Sequence, residues 1–583
     1  AELCRRLDGL PLAIELVAAR VRLLSPAELL ARLHGPWMLS MDGLRDVSPR
    51  QKTLRNAIGW SYGLLTPTEQ TLFTRLAVFV GGCTLEAAEM LCGDDTTLSP
   101  SLSFSLSPPQ VLDGIASLLD KSLLHREISL HGEPRYILLE TVREYGLEQL
   151  ALSGQEAMLR QRHTNCCLRM IEKAEQTDFS RFRMQLRRQI DTDIHNLRAA
   201  HSWAIEQDSQ AALLIAAALV NWLGARGPFE EGRLLIATTL ASPGASAHTI
   251  PRAKMLFEAG LMLAHQDPDQ AQAFQEESLA LSQELGYVKG EADALTGLGR
   301  IGFSGLNDLS AAQRYLERAL PIYRELHDLG GIAYATDRLA TIAFNRADYS
   351  LAGVLANECL AIAQQSGFLN SWALLILGNI AYAYGDLVEA RSRWEQALVL
   401  MDSKGVMADT LAWMGVAASI QGDFPAAHAF LDESRSLWRS EYSEEYARVL
   451  VAPHTALLFQ TKGDYENAVR WYRASLPGLE REVDTWDLCG LGLAALAAAL
   501  DQHEMAARML GATDAVDQED RRLHPFERDD YNRLADVARA SLGAAAFDVA
   551  WAQGRAASFE AAVEETVSIL EATLAVRGQL APT

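Results

Sequence analysis

Cysteine is scarce in this chain of 583 residues and follows no framework. The seven cysteines are an odd number without regular spacing, which excludes a disulfide scaffold and indicates reduced, buried thiols in a cytoplasmic protein. No Cys-x-x-Cys or His-x-x-x-His pair lies near them, so the sequence predicts no metal site. Long apolar runs are missing too. None reaches the roughly 18 residues that a membrane-spanning helix needs, and we expect no membrane span.

Catalytic motifs are also absent from the sequence. The chain holds no Gly-x-x-x-x-Gly-Lys-[Ser/Thr] phosphate loop, no His-Glu-x-x-His zinc motif and no Gly-x-Ser-x-Gly nucleophile elbow. The sequence therefore predicts no catalytic residue and a chain that is not itself an enzyme. It starts at Ala1 inside a helical pattern without an initiator methionine, so we expect it to be the latter part of a longer protein.

Positive charge is in short supply. The chain has 52 Lys and Arg against 75 Asp and Glu, a net charge of −23. This balance argues against a nucleic-acid or anionic-membrane surface along the whole chain, because phosphate binding needs clustered cations. The excess of acidic residues is unevenly distributed along the chain. Residues 64–155 carry a net charge of −7 and residues 246–583 a net charge of −20, whereas residues 1–63 carry a net charge of +3.

Internal repetition is the clearest feature that the sequence does have. The pattern Asp-x-x-x-Ala recurs with alanine-to-alanine intervals of 41, 40, 38, 37 and 41 residues. Its copies are Asp267/Ala271, Asp308/Ala312, Asp348/Ala352, Asp386/Ala390, Asp423/Ala427 and Asp464/Ala468. A period near 40 residues with helical patterning on both sides predicts stacked helix pairs, an α-solenoid.

Each copy of the pattern predicts its own turn. Gly385, Gly422 and Gly463 stand where one helix ends in a left-handed residue, and the following Asp caps the next helix. The alanine four residues on is small enough for two helices to approach closely. Ala347 precedes Asp348 and does not suit a left-handed conformation, so we expect that turn to differ.

The first quarter of the chain is not repetitive. Prolines break the helical patterns of residues 1–63. In residues 64–155, Thr66 to Glu69 has capping-box spacing with Pro67 at the first helical position. Two short helices, two short β-like runs and a last helix follow. This order predicts a winged helix with a small β-hairpin.

Together these patterns predict a predominantly all-α chain of five parts. The parts are a helical subdomain (1–63), a winged-helix domain (64–155), a helical linker or repeat-like segment (156–249), a repeat solenoid (250–512) and a C-terminal helical cap (513–583).

Several segments resemble one known family. The segments are Leu7–Leu16 (LDGLPLAIEL), Arg50–Leu65 (RQKTLRNAIGWSYGLL), Tyr136–Leu150 (YILLETVREYGLEQL) and Asp193–Trp203 (DIHNLRAAHSW). They resemble NB-ARC-type signal-transduction ATPases of the STAND class, and most closely the large LuxR-like bacterial transcriptional regulators that carry a winged helix and an array of roughly 40-residue tetratricopeptide repeats. The resemblance implies that residues 1–63 are the helical end of an ATPase whose core lies upstream.

The resemblance implies a nucleotide for the full-length protein only. ATP or ADP with Mg is expected there, and no cofactor is expected in this chain. Gly9 and Pro11 match the Gly-x-Pro segment that packs near adenine in the family, although Gly-Leu-Pro can also simply start a helix. The family places a phosphate-contacting histidine at the start of the last winged-helix helix, where this sequence has Leu139, and a leucine cannot donate a hydrogen bond.

The predicted function is the signal-sensing and relay part of a cytoplasmic STAND-type regulator with a transcriptional output. The repeats would bind a protein or small-molecule inducer, and the winged helix would couple this event to the upstream ATPase core and to a nucleotide-dependent oligomer. DNA would be bound only through a domain outside this chain, because Asp113 and Asp120 lie on the middle helix of the acidic winged helix. Two alternatives stay open: an interaction scaffold that does not switch, and the regulatory tail of a protein kinase or nucleotide cyclase.

Aromatic residues at helical spacing within the repeats have two interpretations. They are Tyr315, Tyr323, Trp394, Trp413, Trp471 and Tyr472. They could line a ligand groove or pack inside the core, and helical spacing within repeats favours the core.

Overall fold

The computed structural model describes residues 54–93, 105–129, 132–175, 179–226, 228–304, 308–366, 371–401, 404–441, 443–478, 486–517, 523–576 and 578. These residues are almost entirely helical, with one two-stranded sheet, which confirms the predicted fold class. The chain forms two compact units, residues 1–307 and 308–583, so their division falls inside the predicted repeat array.

A winged helix lies at the start of the described chain. After α1 (Leu54–Gly63) come α2 (Pro67–Leu76), α3 (Leu85–Cys92), α4 (Pro108–Asp120), the strands β1 (His125–Ile128) and β2 (Pro134–Ile137), and α5 (Glu140–Ser153). Thr66 and Glu69 form the predicted capping box, since each side chain accepts a hydrogen bond from the backbone N–H of the other residue. The helices share a core in which Leu72, Phe73 and Leu91 are fully buried.

The hairpin of the winged helix is tied to the helices by main-chain bonds. β1 and β2 pair antiparallel, with Arg126 opposite Tyr136. Beyond the hairpin, Tyr136 exchanges two backbone hydrogen bonds with Cys83, at 2.8 and 3.0 Å. This bridge holds β2 against the segment that precedes α3.

Seven further helices follow in the described part of the first unit. They are α6 (Glu156–Glu175), α7 (Phe179–Gln207), α8 (Ser209–Arg226), α9 (Phe229–Leu240), α10 (Ile250–Leu263), α11 (Pro268–Glu284) and α12 (Val288–Ser304). We refer to α6–α9 as the linker.

The second unit begins with helix pairs. They are α13 (Leu309–Glu325) and α14 (Leu329–Asn345), α15 (Tyr349–Ser366) and α16 (Ser371–Ala383), α17 (Leu387–Leu398) and α18 (Lys404–Ile420), α19 (Phe424–Glu441) and α20 (Glu444–Thr461), and α21 (Tyr465–Ser475), which a 3-10 turn (Leu476–Gly478) separates from α22 (Trp486–Ala499). Four helices end the unit: α23 (His503–Val516), α24 (Pro525–Leu542), α25 (Ala544–Ala556) and α26 (Phe559–Val576).

The six aspartates of the repeat pattern stand directly before a helix. The side chain of Asp386, for example, accepts a hydrogen bond from the backbone N–H of Glu389 at 3.1 Å. Asp267, Asp308, Asp348, Asp423 and Asp464 accept in the same way from the residue three positions on. Each thereby satisfies one of the free N–H groups that open a helix.

The alanines of the pattern are completely buried. Ala271, Ala312, Ala352, Ala390, Ala427 and Ala468 are each 0% exposed. Because a methyl group is the whole side chain, it lets a neighbouring helix approach closely. Helices α11, α15, α17, α19 and α21 each pack against the helix before them in the chain.

The turn at Ala347 follows the same geometry as the glycine turns, so the expectation that it would differ was wrong. Ala347 takes φ 60°, close to the 77° and 78° of Gly385 and Gly422. The backbone N–H of Asp348 bonds to Ala343 O at 2.8 Å, as Asp386 N bonds to Ala381 O at 2.9 Å. The bonds that end the helix therefore outweigh the steric cost of a left-handed alanine.

Replacing Ala347 with glycine is expected to stabilise the second unit by about 0.5–1 kcal/mol, because the left-handed strain disappears while glycine adds some chain entropy to the unfolded state. Urea denaturation measures the change. Gly422→Ala is the converse control: φ is 78° and no atom lies within 4 Å of the added Cβ, so a loss of similar size should follow. A destabilised Ala347→Gly variant would contradict the left-handed geometry.

The predicted aromatic positions divide between core and partly buried sites. Tyr323, Trp394 and Tyr472 are at most 1% exposed and belong to the core. Trp413 and Trp471 are partly buried at the edges of apolar clusters.

None of the described helices is long and apolar enough to span a bilayer. Within the same described residues, no group of three or more His, Cys, Asp or Glu side chains is arranged to hold a metal ion.

Candidate relay site between the winged helix and the linker

Two consecutive glycines start the contact between the winged helix and the linker. After α2, Gly81 and Gly82 both take left-handed φ values, 80° and 81°. A Cβ atom on Gly82 would lie 2.6 Å from Tyr136 O and 2.6 Å from Ile137 Cγ1. Only glycine therefore lets the chain pass directly beneath β2 and leaves the Gly82 carbonyl available on the other side.

Asn196 of α7 binds this glycine turn from the linker. Its side-chain oxygen accepts from Val80 N at 2.7 Å, and its side-chain nitrogen donates to Gly82 O at 2.9 Å. The residue is buried, 3% exposed, so these bonds replace water on both backbone groups. One amide side chain thus joins elements that are more than 110 positions apart in the chain.

Arg135 of β2 makes the second connection. Its Nη2 atom donates to Asp193 Oδ1 at 2.8 Å and to Gly82 O at 2.8 Å. Asp193 Oδ1 also accepts from Asn196 Nδ2 at 2.9 Å, so the two connections share one carboxylate. The arginine side chain is only 6% exposed, and the pair therefore lies in a less polar medium than a surface ion pair.

Helix α7 is kinked at the residue that receives this arginine. Asp193 has φ −112° and ψ 16°, which are not helical values. The carboxylate and Asn196 sit at and just beyond this kink. We call Gly82, Arg135, Asp193 and Asn196, with the histidine described next, the junction network.

His163 of α6 completes the junction network. Its Nε2 atom lies 3.3 Å from Asn196 Oδ1, and its ring stands edge-on to Phe79 at 5.2 Å between centroids. Burial lowers the pKa of His163 to about 4, although the hydrogen bond to Asn196 opposes the shift. The imidazole is therefore neutral at pH 7 and adds no positive charge beside the ion pair of Arg135 and Asp193.

The linker also holds the end of α3. Arg162 of α6 is completely buried and donates to Gly93 O at 2.6 Å, and Arg75 of α2 donates to Cys92 O at 3.2 Å. Cations at the C-terminal end of a helix are favoured by its dipole and by its free carbonyl groups. Lys173 and Glu86 pair nearby at 3.0 Å, but both side chains are more than half exposed.

Helix α7 continues the connection into the rest of the linker. His201 Nε2 lies 2.9 Å from Thr239 Oγ1 of α9, and Trp222 Nε1 of α8 donates to Asp191 Oδ1 at 2.8 Å. One helix therefore contacts the winged helix at its kink and both following linker helices along its length. An open cleft of about 430 Å³ lies between these helices, and its apolar walls include Ile194, Leu219, Leu223, Leu234 and Leu235.

The residues that the sequence predicted as functional lie in different parts of the chain and do not form one site within the described residues. Gly9 and Pro11, with most of the predicted subdomain 1–63, lie outside the described residues. Leu139 directly precedes α5 and packs against the winged-helix core. The aspartates from Asp308 to Asp464 cap the helices that follow the turns of the second unit, and the alanines four residues on are buried inside those helices.

Sequence reasoning did not find the junction network. Arg135, Asp193 and Asn196 lie inside or beside segments that resemble the family, but nothing in the sequence pairs them. The sequence offered two separate signals for this network. One was the Gly81-Gly82 dipeptide, and the other was the polar pair Asp193 and Asn196 in an otherwise amphipathic helix.

Comparison with protein families identifies two of the domains. Residues 65–151 match a model described as a winged helix-turn-helix domain, and residues 252–325 match a model of the tetratricopeptide repeat. The first match spans α2 to α5 with the hairpin, and the second spans the helices α10 to α13.

Mycobacterial proteins are similar to this chain over most of its length. Proteins of Mycobacterium tuberculosis and Mycobacterium bovis described as "Putative HTH-type transcriptional regulator" are 29% identical over 653 aligned residues, covering 96% of this chain and 72% of theirs. A second, uncharacterised Mycobacterium tuberculosis protein is 40% identical over 154 residues, covering 26% of this chain and 37% of that protein.

Solved structures show weaker likeness. A signal-transduction ATPase with a tetratricopeptide repeat sensor from Pyrococcus horikoshii covers 83% of this chain and 70% of its own, with a TM-score of 0.45 and 15% identity. This chain is thus similar to the mycobacterial HTH-type regulators over 96% of its length, and it contains a winged helix-turn-helix domain followed by tetratricopeptide repeats.

Proposed function

We propose that this chain is the sensing and relay part of a STAND-type transcriptional regulator, in which the repeats receive a signal and the winged helix passes it to an upstream ATPase core. The observation that carries the proposal is the junction network. A single linker helix, α7, holds the winged helix through Asn196 and Asp193 and also holds the rest of the linker through Asp191 and His201.

A junction of this kind suits a relay because it has few stable arrangements. Breaking it would leave Val80 N–H, Gly82 C=O and the Arg135 guanidinium to find new partners, and each unpaired buried group costs about 1–3 kcal/mol. A buried polar network is therefore either fully formed or replaced as a whole. A movement of the linker is expected to move β2 and the Gly82 turn with it.

The winged helix suits transmission better than DNA reading. Its middle helix α4 exposes Asp113 and Asp120, and Lys121 at its end is paired with Glu69 at 2.7 Å. Base readers present Arg, Lys, Asn or Gln to base edges and surround them with phosphate contacts. We therefore propose that DNA is contacted through a domain outside this chain.

Nucleotide binding belongs, in this proposal, to the full-length protein. The position that the family resemblance assigns to a phosphate contact is Leu139, and its side chain has no donor. The residues described at this position therefore do not fit a phosphate.

The proposal is tested by loosening the junction in the full-length protein. Asn196→Ala removes the bonds to Val80 and Gly82, which should weaken the junction by about 2–3 kcal/mol. We expect the release rate of bound fluorescent ADP and the basal output of a transcriptional reporter to change at least fivefold. Amide hydrogen exchange over residues 78–83 reports independently that the junction has opened.

Lys173→Ala is the matched control, because it removes an exposed ion pair across the same interface. It should leave ADP release and reporter output at wild-type values. Faster exchange in Asn196→Ala with unchanged ADP release and unchanged output would overturn the relay and support a scaffold that does not switch. If the full-length protein bound no ADP, the relay would likewise be overturned in favour of a scaffold that does not switch.

A further inference from the structure

The linker contains an open cleft of about 430 Å³ between α7, α8 and α9, which we call the linker cleft. Leu219 and Leu223 of α8 are each 2% exposed and form its deep wall. Leu234 of α9 forms an outer wall and is 65% exposed. Clefts of roughly 300–1,000 Å³ with mostly apolar walls are typical of small-molecule sites, so these leucines suit the apolar part of a ligand.

An ion pair lies in the linker cleft. Arg198 of α7 pairs with Glu231 of α9, and both side chains line the cleft and are nearly half exposed. His201 also lines the cleft, but burial lowers the pKa of this histidine to about 4, so its ring is neutral at pH 7. The positive charge of the cleft therefore belongs to Arg198, which already has a carboxylate partner.

Glu206 brings a second carboxyl group to the linker cleft. It is exposed in the last turn of α7, and its carboxyl group makes no ion pair or hydrogen bond with any other residue that the structure describes. The dipole of a helix disfavours an anion at this end and favours a cation. The start of α8 is already satisfied by Asp208, whose side chain accepts from Ala211 N at 3.1 Å. A cation at Glu206 would therefore meet an unpaired carboxylate at a favourable helix end.

The charge of the linker cleft decides which kind of ligand suits it. One arginine stands against two glutamates among the residues that line the cleft, a net charge of −1. A ligand with one positive charge would balance this excess at Glu206. A ligand with one negative charge would have to take Arg198 from Glu231, which would leave two carboxylates without partners. Charge complementarity therefore favours a cation.

We propose that the linker cleft is a binding site for a small effector that carries one amine on an apolar body. The apolar body lies against Leu219 and Leu234, where its burial supplies most of the affinity. The protonated amine pairs with the carboxylate of Glu206, which selects a cation over an anion of the same shape. Such a site goes beyond reception by the repeats, because it gives the relay a second input inside the linker itself.

Ile194 connects the linker cleft to the junction network. It lines the cleft and directly follows Asp193, the residue at which α7 is kinked. A ligand between the three helices holds α7 against α8 and α9, and it thereby limits the movement of Asp193 and Asn196. Binding in the cleft stands by itself, whereas its effect on the junction network rests on the proposed relay function.

The experiment measures the binding of three probes to the whole 583-residue chain by calorimetry at low salt, where exposed charges are least screened. The probes are naphthylmethylamine, naphthylmethanol and naphthoate, which share an apolar ring system and are a cation, a neutral molecule and an anion at pH 7. We expect the cation to bind about tenfold more tightly than the anion, with the neutral alcohol between them, because Glu206 attracts one charge and repels the other.

Three variants locate the site. Glu206→Gln keeps the shape of the linker cleft, and it should weaken binding of the cation about threefold and leave the neutral alcohol unchanged, because an exposed ion pair contributes modestly. Ser202→Trp places a large side chain in the cleft from its exposed side and should abolish binding of all three probes, while circular dichroism shows that the helices remain. Glu230→Gln is the matched control, because Glu230 is exposed on α9 outside the cleft, and it should change none of the three affinities.

No binding of naphthylmethylamine, or wild-type affinity in a folded Ser202→Trp variant, would overturn the linker cleft as the site. Equal binding of the cation and the anion, or unchanged binding of the cation by Glu206→Gln, would show that the amine is wrong. Saturating naphthylmethylamine should also slow amide hydrogen exchange over residues 78–83, and binding without this change would contradict the effect on the junction network. The relay itself is tested by Asn196→Ala, outside the cleft, so the two failures are distinguishable.

Discussion

Replacing Gly554 with alanine is expected to lower the stability of the second unit by about 3 kcal/mol. A Cβ atom at this position would lie 1.8 Å from Arg508 O and 2.6 Å from Arg508 C. On the facing helix, a Cβ atom on Gly511 would lie 2.0 Å from Trp551 O. Helices α23 and α25 therefore cross with their backbones in contact, and backbone atoms cannot move aside as a flexible side chain can.

Urea denaturation followed by helical circular dichroism measures the loss. Gly353→Ala is the matched control in the same unit, because the nearest atom to its Cβ is Ile380 Cδ1 at 3.8 Å. That variant should be as stable as the wild type or up to about 1 kcal/mol more stable, since alanine favours a helix more than glycine does. Wild-type stability for Gly554→Ala would show that the two helices do not cross at this distance.

Gly82→Ala is expected to destabilise the winged helix by about 3 kcal/mol and to disrupt the junction network with it. Part of the loss, about 1–2 kcal/mol, is the cost of alanine at φ 81°. The remainder is the collision of the new methyl group with Tyr136 O and Ile137 Cγ1, each 2.6 Å away. Because the Gly82 carbonyl accepts from Asn196 and Arg135, any shift of this residue also weakens the bonds to the linker.

The neighbouring Gly81 separates the conformational cost of a left-handed alanine from the cost of the steric collision. Gly81 has nearly the same φ, 80°, but the nearest atom to its Cβ is His195 Cδ2 at 3.6 Å. Gly81→Ala should therefore show the conformational cost alone. Hydrogen exchange over β1, β2 and residues 78–83 follows both variants, and equal losses in the two would contradict the close passage beneath β2.

The junction network assigns the proposed relay to particular atoms. The junction network joins the winged helix to the linker through three side-chain hydrogen bonds, one from Arg135 to Asp193 and two between Asn196 and the backbone of Val80 and Gly82. The Asn196→Ala variant of the full-length protein therefore tests transmission through this junction.

The sequence predicted the features that depend on neighbouring residues. The aspartate caps, the buried alanines and the capping box at Thr66 each involve partners three or four positions apart, so their spacing is visible in the sequence. The roughly 40-residue period follows because every helix pair repeats the same local solution. Ala347 shows the limit of this reasoning, since the hydrogen bonds of its turn overcame its own conformational preference.

Tertiary structure alone decided where the polar and aromatic residues meet. Arg135 and Asp193 are 58 positions apart, Gly82 and Asn196 are 114 apart, and Tyr349 and His524 are 175 apart. No local pattern records such pairs, because each partner has an ordinary place on its own helix or strand and acquires its role only when helices pack. The sequence by itself thus determined a winged helix, caps and repeats, while packing decided that a neutral histidine, a kinked helix and a glycine turn form one junction.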